Sequence, residues 1–249
     1  MNRWLDYKVT SFTDVVNKED KMKDIIIVTG GTSGLGLELI KEAHERGFFV
    51  CNLARNKAKM QELDSQFPEN YKGFVGDITD AEFIANSIKE IASLGNIAYL
   101  INNAEKACYK APTEFNNDDI TVSLSGLRGM ILCTTEVLKA KNEENVKIVN
   151  IMSSAALKGN KNEALYCAAK WGERGYTESL KAEYKGTSVK IVGVFPGGMN
   201  TNFWSDKRDF VSEEKAETFM KPREVAQTIL DNVTKYSGLN VCDISIERL

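Results

Sequence analysis

Asp24-Ile25-Ile26-Ile27-Val28-Thr29-Gly30-Gly31-Thr32-Ser33-Gly34-Leu35-Gly36 runs from β-branched apolar residues into glycines and then into a helical pattern carried by Leu35, Leu39, Ile40 and Ala43. That order predicts a buried strand, a tight loop and a helix. A helix that starts directly after such a loop offers unpaired backbone N–H groups and the positive end of its dipole, where a pyrophosphate can sit. The spacing Gly30, Gly34, Gly36 differs by one residue from the G-x-G-x-x-G fingerprint, and a glycine loop alone could serve only a tight turn. Its place between the strand and helix of a β-α-β unit points to a dinucleotide.

Outward from this loop, apolar and mostly β-branched runs recur at 48–53, 73–76, 97–101, 146–152, 189–195 and 241–246, making seven strands. Helical spacing fills the intervals, including long patterns around 118–141, with Leu124, Leu127, Ile131, Leu132 and Val137, and around 164–185. Strands alternating with helices imply parallel pairing through right-handed crossovers. The expected fold is therefore an α/β doubly wound parallel sheet of Rossmann type, with seven strands and helices on both faces. It occupies 24–249 as a single domain. Residues 1–23, polar with scattered Trp4, Leu5, Val9, Phe12, Val15 and Val16, form an added arm outside this pattern.

The 249 residues carry a net charge of −3, with 43% hydrophobic and 27% charged residues. This balance gives no electrostatic reason to expect nucleic acid or an anionic membrane. No apolar stretch approaches the roughly 20 residues of a membrane span, and no secretory leader is visible, so a cytoplasmic protein is expected. Five scattered cysteines without a C-x-x-C pair, and one histidine (His44) within the first helical pattern, argue against a disulfide framework, a metal site and a Ser-His-Asp triad.

The second strand ends Asn52-Leu53-Ala54-Arg55. An acidic residue here would accept the ribose 2′-hydroxyl of NAD, whereas a neutral residue followed by arginine suits a 2′-phosphate. NADP(H) is accordingly favoured over NAD(H). Far downstream, Tyr166 and Lys170 lie four apart in Tyr166-Cys167-Ala168-Ala169-Lys170 and share a helix face, with Ser153 at the end of the fifth strand. A tyrosine, titrating near 10 in isolation, needs a neighbouring cation to exchange protons near neutrality, and Lys170 supplies one. The Ser153 hydroxyl can hold a carbonyl or alcohol against the tyrosine while a nicotinamide carries the hydride.

In these motifs the chain resembles the compact branch of the short-chain dehydrogenase/reductase family from Asp24 nearly to its C-terminus. The loop T-G-x-x-x-G-x-G corresponds to Thr29–Gly36, with Thr32, Ser33 and Leu35 among its cofactor-facing positions. Asp77 in Gly76-Asp77-Ile78 resembles the aspartate at the adenine ring, and Asn102-Asn103-Ala104 resembles the N-N-A-G strand end. Ser153 stands thirteen positions before Tyr166, the family's usual spacing. The stretch Pro196-Gly197-Gly198-Met199-Asn200-Thr201 is similar to P-G-x-x-x-T on the nicotinamide side. The resemblance implies that Tyr166 is general acid/base, that Lys170 binds the nicotinamide ribose and lowers the tyrosine pKa, and that Ser153 positions substrate. It also implies a homodimer or homotetramer paired through the two long helices.

Three residues depart from the family pattern. Glu105 replaces the glycine of N-N-A-G, so that a carboxylate beside the cofactor would reshape the loop or intrude on it. Ser123 stands where an asparagine commonly holds a relay water, and is expected to take over that part. Ala156 replaces a glycine three residues after the serine. A lid over the substrate is expected at 197–221, its aromatics Phe203, Trp204, Phe210 and Phe219 and Met199 either lining an apolar pocket or packing on the sheet. The expected activity is an NADP(H)-dependent oxidoreduction of a small carbonyl or alcohol. The alternatives are a catalytically silent dinucleotide-binding protein and, on a related fold, a sugar-nucleotide epimerase or dehydratase.

Overall fold

β1 (Asp24–Thr29) is buried on both faces because its side chains alternate between two cores. Ile26 and Val28 point into one core, Ile25 and Ile27 into the other. The computed structural model describes residues 23–141, 145–204, 211–235 and 239–249. The arm at 1–22, Phe210 and the Trp204 side chain lie outside the described residues.

From β1 the chain enters α1 (Gly34–Glu45), β2 (Phe49–Ala54), α2 (Lys57–Gln66), β3 (Tyr71–Val75), α3 (Ala81–Leu94) and β4 (Asn96–Asn102). It continues through α4 (Asn117–Ser123), α5 (Ser125–Ala140), β5 (Val146–Ile151), α6 (Ala164–Glu183), β6 (Val189–Pro196), α7 (Glu213–Glu217), α8 (Pro222–Thr234) and β7 (Asp243–Ile246). All seven strands pair in parallel, in the order β3-β2-β1-β4-β5-β6-β7. The order reverses direction between β1 and β4, the crevice where doubly wound sheets bind ligands.

One core joins the sheet to α1, α2 and α8 through residues such as Leu39, Ile40, Met60, Ile229 and Leu230. The other joins it to α3, α5 and α6 through Ile84, Ile88, Cys133, Val137 and Leu180. Strands covered on both faces explain the continuous apolar runs in the sequence. The expected helix at 118–141 is two helices instead. Leu124 breaks the repeat, its N–H still bonding back to Ile120 while α5 restarts at Ser125.

A buried polar ladder ties α6 to the middle of the sheet. Asn102 Nδ2 donates to Asn150 Oδ1 at 2.9 Å and to Thr134 Oγ1 at 3.1 Å, and Asn150 Nδ2 donates to Thr177 Oγ1 at 2.9 Å. Thr177 Oγ1 donates to the Glu173 carbonyl at 2.7 Å. These buried bonds fix one register of helix on sheet, although Asn102 Oδ1 itself has no partner among the described residues. On the outside, α4, α5 and α6 expose Ile120, Ile131 and Trp171.

Candidate active site

Gly30 and Gly34 have φ of +72° and +55°, which an L side chain resists, so glycine is required at both turns of the loop. The loop is also held from below. The Gly31 N–H donates to Asn52 Oδ1 at 3.0 Å, and Asn52 is itself bonded to Tyr71. The N–H groups of Asn103 and Ala104 both donate to Thr29 Oγ1 at 3.0 Å, which draws the end of β4 against the loop. Asn116 and Asp80 cap α4 and α3 through side-chain bonds, whereas α1 begins at Ser33 with no side-chain cap. Its first-turn residues Gly34, Leu35 and Gly36 line a cleft, so the uncapped helix end is available to an anion there.

That cleft, about 1880 Å³, crosses the carboxyl ends of the central strands. Gly30, Thr32 and Ser33 line it beside α1, and Arg55, Asp77 and Ile78 line it beside β2 and β3. Asn103, Ala104 and Ser153 follow from β4 and β5, Tyr166 and Lys170 from α6, and Pro196, Gly197, Met199 and Thr201 from the end of β6. Arg55 Nη1 stands 3.6 Å from Asp77 Oδ2 with both side chains largely exposed. Partial burial pushes the Asp77 carboxyl up, but bonds from Thr79 and the Arg55 charge outweigh it and hold it below the usual range. The loop geometry, the uncapped helix and the exposed guanidinium fit a phosphate-bearing dinucleotide.

Ser123 is the exception. It turns inward at the end of α4, fully buried, and its hydroxyl has no hydrogen-bond partner among the described residues. Its neighbours Val122, Leu124 and Ser125 line the cleft in its place. A buried hydroxyl without a protein partner is a group that can hold a water, the part expected of Ser123.

Tyr166 packs in a small aromatic cluster, with ring centroids 5.8 Å from Tyr109 and 6.1 Å from Phe203. Ser153 lies just past the end of β5, accepts the Ala155 N–H at 3.1 Å and lines the cleft with Tyr166. Lys170 Nζ lies 5.7 Å from the Tyr166 ring centroid. Burial pushes the Tyr166 hydroxyl up to about 12; Lys170 and Ser153 oppose this, while Glu105 and Glu173 add to it. Lys170 pulls the tyrosine down, the direction expected of it, against a larger effect of burial. Burial and two carboxylates outweigh one ammonium.

Glu105 does not lie across the glycine loop. Its carboxylate turns toward α6 and sits 2.5 Å from Lys170 Nζ. Glu173, which the sequence reading passed over, accepts from the same ammonium at 2.9 Å and is 1% exposed. A signal was available: Tyr166, Lys170, Glu173 and Thr177 follow at steps of four, three and four and share the buried face of α6. In the described parts of the segment where a lid is expected, Gly198–Asn200 exchanges hydrogen bonds with Met220, Phe203 packs on Tyr166, and Phe219 lines the cleft. Among the described residues no helix is long and apolar enough to cross a membrane.

The short chain dehydrogenase profile matches residues 24–212. Carbonyl reductase family member 4 of Danio rerio is 28% identical over 221 residues, covering 84% of this chain and 90% of that protein. A short-chain dehydrogenase/reductase from Vibrio parahaemolyticus superposes with a TM-score of 0.78 at 27% identity, covering 90% of this chain and all of the other. An actinorhodin polyketide ketoreductase variant with NADPH gives a TM-score of 0.82 at 24% identity, covering 90% and 95%.

Proposed function

Because the chain belongs to the short-chain dehydrogenase family and its relatives include a carbonyl reductase, we propose that it interconverts a carbonyl and an alcohol with NADP(H) as hydride carrier. The observation that carries this reading is the convergence of Ser153, Tyr166 and Lys170 with the glycine loop on one cleft. A bound nicotinamide supplies or accepts the hydride. Tyr166 gives its hydroxyl proton to the carbonyl oxygen as the alcohol forms, and takes one back in the reverse direction. Ser153, which lines the same cleft, holds the same oxygen. The aromatic cluster of Tyr109, Tyr166 and Phe203 excludes water from the proton transfer.

The lid segment at 197–221 and the aromatic cluster support an apolar substrate face. The loop would hold the pyrophosphate at α1, and Thr201, whose side chain lies 3.5 Å from where a Gly34 Cβ would stand, would close over it. Arg55 would meet the 2′-phosphate as a bidentate donor, released from its long contact with Asp77. Arg55→Ala should therefore weaken NADPH binding by about tenfold or more, one charge-assisted contact, and NADH binding little. Tryptophan quenching titrations of both cofactors measure this; equal losses would remove Arg55 from the phosphate site. Consumption of NADPH against aldehydes and ketones tests the reaction itself.

A further inference from the structure

Lys170 has three ammonium protons and three acceptors around them. Glu173 Oε2 accepts at 2.9 Å and the Ile151 carbonyl at 3.4 Å, while Glu105 Oε2 is in ionic contact at 2.5 Å, off the angle of a hydrogen bond. The two carboxyl side chains are 11% and 1% exposed. Gly126 makes the room, since a Cβ there would fall 2.7 Å from Glu105 Oε2. With every group charged this buried cluster would carry one net negative charge. Retaining one proton on the carboxyl pair makes it neutral, the state that burial favours. Burial accordingly pushes the Glu173 carboxyl well above the usual range; Lys170 opposes this and Glu105 adds to it.

Resting on the reading of Tyr166 as proton donor, we propose that Glu105 and Glu173 are positioning residues that cancel the Lys170 charge and keep Tyr166 in its acid form, so that alcohol oxidation rises only at alkaline pH. The groups facing Tyr166 are Lys170 and Glu173 from its own helix, Glu105 and Tyr109 from the segment after β4, and Ser153 from the end of β5. Glu163 and Cys167 act on the adjoining Tyr109, and the 202–204 turn contributes the uncharged Phe203. Among these described groups Lys170 alone favours the tyrosinate by its charge.

Either carboxylate suffices to neutralise the ammonium, because the survivor ionises once its competitor is gone. The pH profile of kcat/KM for alcohol oxidation should therefore move by at most about 0.2 unit in Glu105→Gln and in Glu173→Gln, and fall by about one unit or more in the double variant. A profile unchanged in the double variant, or single shifts that sum to the double shift, overturns the proposal. Tyrosinate absorbance, taken as the difference between each chain and its Tyr166→Phe counterpart, reads the same ionisation without turnover. Absence of turnover with this pattern intact therefore counts against the enzymatic reading alone. If the double variant does not fold, carboxyl carbon-13 spectra of the unmutated protein decide. A protonated glutamate signal at neutral pH that disappears in Glu173→Gln supports the proposal, and two ionised carboxylates overturn it.

Discussion

Tyr166→Phe should lower kcat/KM for carbonyl reduction by about 100-fold or more, the usual worth of a positioned general acid, while leaving NADPH affinity nearly unchanged. The substitution removes one hydroxyl and keeps the ring that packs on Tyr109 and Phe203. The lost atom is the hydroxyl on which Lys170 and Ser153 act. Turnover should fall without a matching loss of cofactor binding, the pattern of an interaction made in the transition state. Steady-state kinetics beside quenching titrations measure both. Comparable turnover in the two chains would assign the proton to another group.

Gly36→Ala should have the second large effect, on cofactor binding and stability together. A Cβ at Gly36 would overlap the Gly30 carbonyl and come within 2.5 Å of Asn103 Nδ2. Neither neighbour can yield easily. Gly30 is fixed by its left-handed turn, and Asn103 Nδ2 is bonded to the Thr29 carbonyl at 3.0 Å. Helix and loop must separate, at about 1–3 kcal/mol of stability as for other overpacked sites. The displaced loop should lose about tenfold or more in NADPH affinity, equivalent to about 1.4 kcal/mol. Gly175→Ala in α6, where a Cβ meets nothing within 4 Å, is the control and should leave binding unchanged. Equal affinity in Gly36→Ala and the unmutated protein would contradict the close approach described for the loop.

The strands and the glycine loop were legible because the sheet is covered on both faces, so each strand appears as a continuous apolar run bounded by turn residues. Tyr166, Lys170 and Ser153 were legible because helical spacing and a strand end bring chemically matched groups together. The break at Leu124 was not legible, because periodicity carries through 118–141. Asn52 and Glu173 were not singled out for different reasons. Asn52 is one polar residue in an apolar strand, and its bond to the Gly31 N–H depends on a loop 21 positions away. Glu173 looks like an ordinary helix charge until Glu105, from another element, arrives at the same lysine. The departure at Glu105 was visible, but its direction was not: the space that receives it comes from Gly126, in a helix separated from it by a whole turn and α4.

The most direct measurement is reduction of an aldehyde and ketone panel with NADPH deuterated on the nicotinamide ring, with the products weighed by mass spectrometry. The account predicts that at least one carbonyl yields an alcohol carrying a single deuterium, and that Tyr166→Phe yields almost none at equal cofactor occupancy. Tight NADPH binding with no deuterated alcohol from any carbonyl, or equal deuterium transfer by both chains, would contradict it.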